Sequence, residues 1–241
     1  MRLDKYLSEA LGLTRSESRA LIAKRKVTVD GVALRKIDHP LKGGEEVVCE
    51  GRSLTRQEFV YLMLNKPEGV VSASRDKRDV TVADLVKEDY PRRELFPAGR
   101  LDKTSTGFVL LTDDGGFAHD ILDPKRHEPK TYRVVLDTPC TPEMEEDFAR
   151  GVTLADGTRL APAGLTVDPE DPAQVTVLLR QGVYHQIKRM FGVYDAGVNA
   201  LHRLAIGGVE LDENLAPGQW RELTEDEVQT IRRAGENRRE E

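Results

Sequence analysis

Residues 97–113, PAGRLDKTSTGFVLLTD, join a short polar loop to an apolar strand. The loop contains GRLD at positions 99–102, and the run FVLL at positions 108–111 predicts a buried strand. Loops that are anchored by rigid strands often carry catalytic residues, and this loop carries one carboxylate, Asp102, two residues after Arg100. A surface turn with a solvated aspartate would give the same pattern, because aspartate is common in turns. The residues of the loop alone leave both interpretations open.

Length and composition set limits on the kind of protein. The 241 residues suit one large domain and one small domain. Cys49 and Cys140 form no CxxC pair, and the five histidines are scattered, so we expect neither a disulfide framework nor a metal site. The chain lacks the GxxxxGK[ST], GxGxxG and HExxH patterns, so nucleotide-binding loops and zinc proteases have no support. Because no apolar signal core or long apolar stretch is present, we expect a cytoplasmic protein without membrane association.

The charge of the chain is unevenly distributed. The net charge is −6, which by itself does not indicate nucleic-acid binding. Residues 1–43, however, hold ten Lys and Arg against five Asp and Glu, which leaves +5 there and −11 on the remainder. Such an asymmetry indicates a basic module that contacts phosphates and an acidic body that keeps the protein in solution.

The N-terminal residues predict two short helices and a hairpin. Thr14 and Glu17 fit the capping box, in which Ser or Thr is followed three residues later by Glu or Gln. Asp30-Gly31 lies between two apolar runs and predicts a tight hairpin turn. The polar stretch at 50–58, EGRSLTRQE, lacks the periodicity of a helix or a strand. The predicted organisation is a small domain at 1–50, a linker at 51–58, a large domain at 59–235 and a charged tail at 236–241.

Two stretches of the large domain carry further candidates. Tyr132 lies in the predicted strand of HEPKTYRVVL, where a tyrosine usually packs in the core or at its rim. In QIKRMF, the apolar residues share one helical face and Lys188 and Arg189 leave from others. A cation near the start of a helix opposes the helix dipole, so it should have a partner or a ligand. The preceding His185 could help to orient the site, but a lone histidine is more often structural.

These stretches resemble a known family. GRLDKTSTGFVLLTDDG at 99–115, HEPKTYRVVL at 127–136 and YHQIKRMF at 184–191 resemble, in this order, motifs of pseudouridine synthases, which isomerise uridine in RNA. The opening MRLDKYL and the segment VTVDG at 27–31 resemble the S4 RNA-binding domain. The resemblance implies an α+β protein: a small S4-like domain, then a catalytic domain built on a mixed, largely antiparallel sheet.

The resemblance also implies the roles of individual residues. Asp102 would be the catalytic carboxylate, Tyr132 the active-site tyrosine, and Lys188 the basic residue that pairs with Asp102. Arg100 would fill the space that the target nucleotide vacates when it is flipped out of the RNA. Asp102 could attack the ribose carbon as a nucleophile or remove a sugar proton as a base. The reaction implies no cofactor and no metal.

The predicted partner is ribosomal RNA. Solvation of two helices would explain any single basic residue equally well, but the set as a whole favours RNA contact. The expected RNA-binding residues are Arg15, Arg19, Lys24, Arg25, Lys26, Arg100 and Arg189. Weaker expectations of RNA contact concern Arg203, in LHRLAIGGVEL, and the loop residues Lys125, Arg126 and His127.

The motifs are most similar to the branch of the family that modifies the small ribosomal subunit. This similarity implies a single target uridine in 16S rRNA, at the site known as uridine 516, within free RNA or an assembly intermediate. The expected oligomeric state is a monomer. Lys103 departs from the family, where acidic or small residues are frequent after the aspartate. Two alternatives remain open: a synthase acting on 23S rRNA, and a non-catalytic RNA-binding assembly factor.

Overall fold

The computed structural model of the protein describes residues 1–54, 59–123 and 128–234. The chain divides into two compact units, Met1–Phe59 and Val60–Glu241. Of the predicted segments, positions 55–58 of the linker, the tail at 236–241 and the basic loop residues Lys125, Arg126 and His127 lie outside the described residues.

The first unit packs two helices on a small antiparallel sheet. Its elements are α1 (Leu3–Ala10), α2 (Arg15–Ala23), β1 (Val27–Val29), β2 (Val32–Ala33), β3 (Val47–Cys49) and β4 (Arg52–Leu54). The strand order is β2-β1-β3-β4. Both local predictions are confirmed, because Thr14 and Glu17 form the capping box of α2 and Asp30-Gly31 joins the paired residues Val29 and Val32.

Strand β4 corrects the predicted linker. Residues 52–54 pair with β3 and complete the small sheet, so the ordered unit extends beyond residue 50. Glu50 and Gly51 both adopt positive φ, of 49° and 82°, which makes the tight turn between the two strands. No pattern in the sequence indicated this strand, because Arg52 and Ser53 lie exposed on a sheet edge and need not be apolar.

The second unit is built on a large mixed sheet with helices on its faces. Its strands are β5 (Tyr61–Lys66), β6 (Phe96–Pro97), β7 (Thr106–Thr112), β8 (Lys130–Leu136), β9 (Gly164–Val167), β10 (Gln174–Leu179), β11 (Val198–Ile206), β12 (Val209–Glu210) and β13 (Trp220–Glu222). Its helices are α3 (Gly115–Leu122), α4 (Pro142–Arg150), α5 (Gln186–Gly192) and α6 (Glu225–Ala234), with a 3-10 turn at Asp84–Val86.

The strand order brings distant segments of the chain together. The main path is β13-β5-β7-β11-β8-β10-β9, with β12 paired to β11 and β6 to β7. Only the β7–β11 pair is parallel among the described strands. The predicted α+β class with a mixed, largely antiparallel sheet is therefore confirmed. Alternate residues of the central strands enter different clusters, Val109 one core and Phe108 the other.

Two details complete the fold. Residues 152–160 form a loop in which a single bridge joins Thr153 and Arg159. The Arg159 guanidinium bonds the Thr153 hydroxyl and the Arg150 carbonyl there, so side-chain contacts replace a ladder. In the described part of the chain, no helix has the length and apolar character needed to cross a membrane.

Candidate active site

Asp102 lies on a loop that backbone hydrogen bonds hold in place. The buried Ser72 hydroxyl donates to the Leu101 carbonyl at 2.9 Å and accepts from the Leu101 amide at 3.0 Å. The Ser105 amide donates to the Asp102 carbonyl at 3.0 Å, which closes a tight turn around the carboxylate. The loop is therefore fixed on both sides of Asp102 before β7 begins.

Lys66 holds the same loop from beneath. Its side chain is fully buried, and its Nζ donates to the carbonyls of Ser105 at 2.6 Å, Pro67 at 3.1 Å and Lys103 at 3.3 Å. Burial lowers the pKa of Lys66 to about 8, partly opposed by the negative charge of Asp102. These three contacts make Lys66 the anchor of the Asp102 loop.

Two side chains from the start of α5 contact the Asp102 carboxylate. His185 Nε2 lies 3.2 Å from Oδ1, and Lys188 Nζ lies 3.4 Å from Oδ2. Lys188 also donates to the Thr104 hydroxyl at 3.2 Å. The Asp102 side chain remains 29% exposed, so a substrate could still reach it. The sequence predicted that a cation near the start of this helix would have a partner. For Lys188 that partner is Asp102.

The backbone at His185 explains how that ring reaches Asp102. His185 is the N-cap of α5 and adopts the left-handed conformation, with φ 50° and ψ 34°. This conformation is uncommon for residues with a Cβ, although histidine is among the types that tolerate it. The Gln186 side chain accepts a hydrogen bond from the Val183 amide at 3.0 Å and braces the turn. The sequence alone favoured a structural role for His185 because nothing in it signals this turn.

A row of aligned residues crosses the sheet beside this loop. Lys66 pairs with Gly107, Gly107 with Arg203, and Arg203 with Tyr132. Residues aligned in this way on neighbouring strands share one face of a sheet. Gly107 permits the row, because a Cβ there would lie 2.4 Å from the Arg203 carbonyl oxygen. Tyr132 is the last member of this row, lies on the same face as Lys66 and is 8% exposed.

Arg203 is a buried member of this row. Its side chain is 1% exposed, so the expectation that it contacts RNA is wrong for this conformation. Its Nε donates to the Phe108 carbonyl at 2.6 Å, and its guanidinium carbon lies 6.0 Å from the centre of the Tyr132 ring. Burial, and then the charge of Arg203, lower the pKa of Lys130 to about 8. Nothing in the sequence of β11 indicated a buried arginine.

The predicted RNA-binding residues occupy different environments. Arg15 and Arg19 pair with the buried Asp4, Lys26 pairs with Glu50, and Arg189 pairs with Asp156 at 2.6 Å. Lys24, Arg25 and Arg100 are exposed. Lys103, the residue that departs from the family pattern, pairs with Asp79 at 2.7 Å and leaves the Asp102 carboxylate to its other partners.

An open cleft adjoins the Asp102 loop within the second unit. Its volume is about 300 Å³, and its lining includes residues 104–106, Lys188, Glu68 and the first half of β11. Within the described ranges, no three His, Cys, Asp or Glu side chains are grouped so that they could hold a metal ion. The side chains in contact here are a carboxylate, a lysine and an imidazole, and the row of aligned residues leads from this loop to Tyr132.

Comparison with known proteins identifies the family. The family described as RNA pseudouridylate synthase matches residues 60–192, and the S4 domain matches residues 1–47. The chain belongs to the RNA pseudouridine synthase family. This pseudouridine synthase is thus an isomerase with an S4 domain before its catalytic domain, as the resemblance implied.

The relatives cover almost the whole chain. The ribosomal small subunit pseudouridine synthase A of Escherichia coli K12 is 41% identical over 96% of this chain and all of its own length. An uncharacterised RNA pseudouridine synthase of Bacillus subtilis is 41% identical over 96% of this chain and 98% of its own. A crystal structure of a pseudouridylate synthase is 37% identical, with a TM-score of 0.68 and coverage of 96% and 99%.

Proposed function

We propose that this pseudouridine synthase converts one uridine of 16S rRNA to pseudouridine, at the site known as uridine 516, with Asp102 as its catalytic carboxylate. The observation that carries the proposal is the pairing of Asp102 with both Lys188 and His185 on a loop that Lys66 anchors. The choice of the small subunit rests on relatives such as that of Escherichia coli. The substrate is free RNA or an assembly intermediate, and the enzyme acts as a monomer.

The chemistry accounts for the kinds of residue in the site. The C1′–N1 bond of uridine breaks, a C1′–C5 bond forms, the hydrogen leaves C5 and N1 takes up a proton. No atoms are gained or lost overall and nothing is oxidised. The reaction therefore requires a carboxylate, a way to hold the detached uracil and a route for the C5 proton.

Asp102 performs the first step in one of two ways. It attacks the ribose carbon as a nucleophile, or it removes a sugar proton as a base. Both routes need the ionised carboxylate while RNA excludes water from the site. Covering a carboxylate disfavours its negative charge, and an adjacent cation restores it. Lys188, at 3.4 Å from the Asp102 carboxylate, supplies that cation.

Tyr132 acts at the final step. It stacks against the uracil and accepts or relays the proton that leaves C5. Its support is its alignment with Arg203 in the row that leads to the Asp102 loop. Arg100, exposed two residues before Asp102, fills the space of the flipped nucleotide. Arg189 and the basic residues of the small domain, Arg15, Arg19, Lys24, Arg25 and Lys26, bind the RNA backbone.

Pseudouridine mapping tests the reaction, the target and the carboxylate together. The pseudouridines of 16S and 23S rRNA would be mapped at single-nucleotide resolution in a strain that lacks this gene. The strain would be complemented with the wild type, with Asp102→Asn or with Glu146→Gln. Glu146 is a matched control, because its carboxylate also pairs with a basic residue, Arg150, which has no proposed contact with RNA.

The expected result is the loss of one pseudouridine in 16S rRNA, restored by the wild type and by Glu146→Gln but not by Asp102→Asn. Loss of a site in 23S rRNA instead would move the enzyme to the large-subunit branch. A purified wild type that modifies neither rRNA would contradict the proposed target, and an active Asp102→Asn would contradict the proposed carboxylate.

A further inference from the structure

Tyr184 is a large aromatic side chain that the proposed chemistry does not use. It is 76% exposed, the greatest exposure among the large hydrophobic side chains in the described part of the chain. It precedes α5 at the mouth of the site, next to the residue that contacts Asp102. An exposed aromatic ring keeps apolar surface in contact with water, and this contact is unfavourable unless a partner covers the ring.

The Tyr184 ring is held in a defined position. It stacks on the His185 ring with 3.8 Å between the centroids and 18° between the planes. His185 is fixed in turn by its contact with Asp102 at 3.2 Å and by its left-handed backbone. The two rings therefore form a short stack, the 184–185 stack, with His185 toward the carboxylate and one face of Tyr184 open.

We propose that the open face of Tyr184 stacks on the base of a nucleotide that adjoins the target uridine in the RNA. This inference rests on the proposed function and adds a binding residue to it. A nucleobase fits because every base presents a flat π-face, and stacking on an aromatic side chain does not depend on hydrogen-bond geometry. A single-stranded or opened segment is required, because a base in a duplex is already stacked.

The position of the stack identifies which base it takes. The target uracil must reach Asp102 itself, and the His185 ring contacts Asp102 through Nε2 at its edge and Tyr184 through its face. A base on the open face of Tyr184 is therefore two ring spacings away from the plane of the imidazole that contacts Asp102. This is the place of a neighbouring nucleotide, which the stack holds away from its partner while the target enters the site.

The test uses the full-length protein and a 16S rRNA fragment that the wild type converts. Tyr184→Ala should raise the KM for the fragment on the order of tenfold, the usual worth of one base–aromatic stack, and leave kcat nearly unchanged. Tyr184→Phe keeps the ring and should retain the wild-type KM. Val193→Ala removes another exposed apolar side chain, at the end of α5, and serves as the matched control.

Fragments with an abasic residue on either side of the target identify the contact. The wild type should lose the same factor in KM on one of these fragments, and Tyr184→Ala should lose nothing further on it. An unchanged KM for Tyr184→Ala on the intact fragment would overturn the proposal while leaving the proposed function in place. A fall in kcat with a shifted pH profile would also overturn it, because Tyr184 would then act through His185 and not on the RNA.

Discussion

Substitution of Asp4 tests RNA binding, because net charge and side-chain ordering predict opposite changes in the affinity for RNA. Its carboxylate is fully buried in α1 and pairs with Arg2 and Arg15 at 3.1 Å and with Arg19 at 3.2 Å. The three arginine side chains remain about half exposed, at 53%, 46% and 51%. One negative charge therefore gathers three positive charges whose outer N–H groups can still reach a phosphate.

Asp4→Asn should weaken RNA binding although it removes a negative charge. Ordering a long side chain on binding costs about 0.5–1.5 kcal/mol, so three released arginines cost roughly 1.5–4.5 kcal/mol. Removing the carboxylate also makes the protein more positive by one unit. This added charge favours binding of a phosphate by about 1 kcal/mol in a high dielectric. The balance is about 0.5–3.5 kcal/mol, or roughly two-fold to three-hundred-fold weaker binding.

The assay is an equilibrium titration of a 16S rRNA fragment with the full-length protein at several salt concentrations. Salt must be varied because phosphate contacts release counterions and make affinity strongly salt-dependent. Glu9→Gln is the matched control. It removes the same unit charge from α1, where the Glu9 carboxylate lies 3.7 Å from the Lys5 ammonium. Its binding should be equal to the wild type or slightly tighter.

Hydrogen exchange of residues 1–54 would show that the Asp4→Asn variant still folds. Arg19→Gln provides a second variant, in which Asp4 stays paired with Arg2 and Arg15. Both substitutions should weaken binding, and their effects should not add, because each disturbs the same group. Tighter binding by folded Asp4→Asn, with a steeper salt dependence, would refute the reasoning, since net charge alone would then govern the interaction.

Three further predictions concern the anchor of the Asp102 loop and the sheet beneath it. Lys66→Met leaves three carbonyls without their donor and should lower the free energy of unfolding in urea by about 2–4 kcal/mol, with a reduced kcat; the exposed Lys87→Met should do neither. Because burial lowers the pKa of Lys66 to about 8, below that of a lysine in the unfolded chain, the unfolded state binds more protons above that value. The wild type should therefore gain stability as the pH rises from about 8 toward about 10, and the gain should be smaller in Lys66→Met; an identical pH dependence would contradict the shifted titration. Gly107→Ala forces a Cβ to 2.4 Å from the Arg203 carbonyl oxygen at φ 100° and should cost more than about 3 kcal/mol, whereas Gly182→Ala, with open space around its Cβ, should be tolerated in the same thermal unfolding measurement.

Local signals in the sequence predicted local structure well. The capping box of Thr14 and Glu17 and the Asp30-Gly31 turn are complete within four residues, so nothing distant can override them. The β4 strand was missed because its signal is not local. An edge strand is defined by its pairing with β3, and its own exposed residues carry no apolar alternation.

The candidate site shows the same division. Asp102, Tyr132 and Lys188 could be proposed as site residues from motifs, and a partner for Lys188 could be required on electrostatic grounds. The contacts of His185 and Lys66 with the Asp102 loop could not, because they depend on a left-handed turn and on the packing of β5 against β7. Arg203 illustrates the limit most clearly, since a charged residue in a strand ordinarily predicts an exposed position.

The burial of several cations around one carboxylate fits a site that RNA must cover. Lys66 and Arg203 lie at most 1% exposed and repel each other, and the lowered pKa of Lys66 reflects its burial first and this repulsion as a minor part. Their positive charge opposes the cost that Asp102 would meet when RNA displaces water from it. The same charge would favour a uracil that carries negative charge after its bond to the ribose breaks. Under the proposed function, the cations beneath the loop serve the covered state of the site, because without them Lys188 would have to balance both the carboxylate and the detached base.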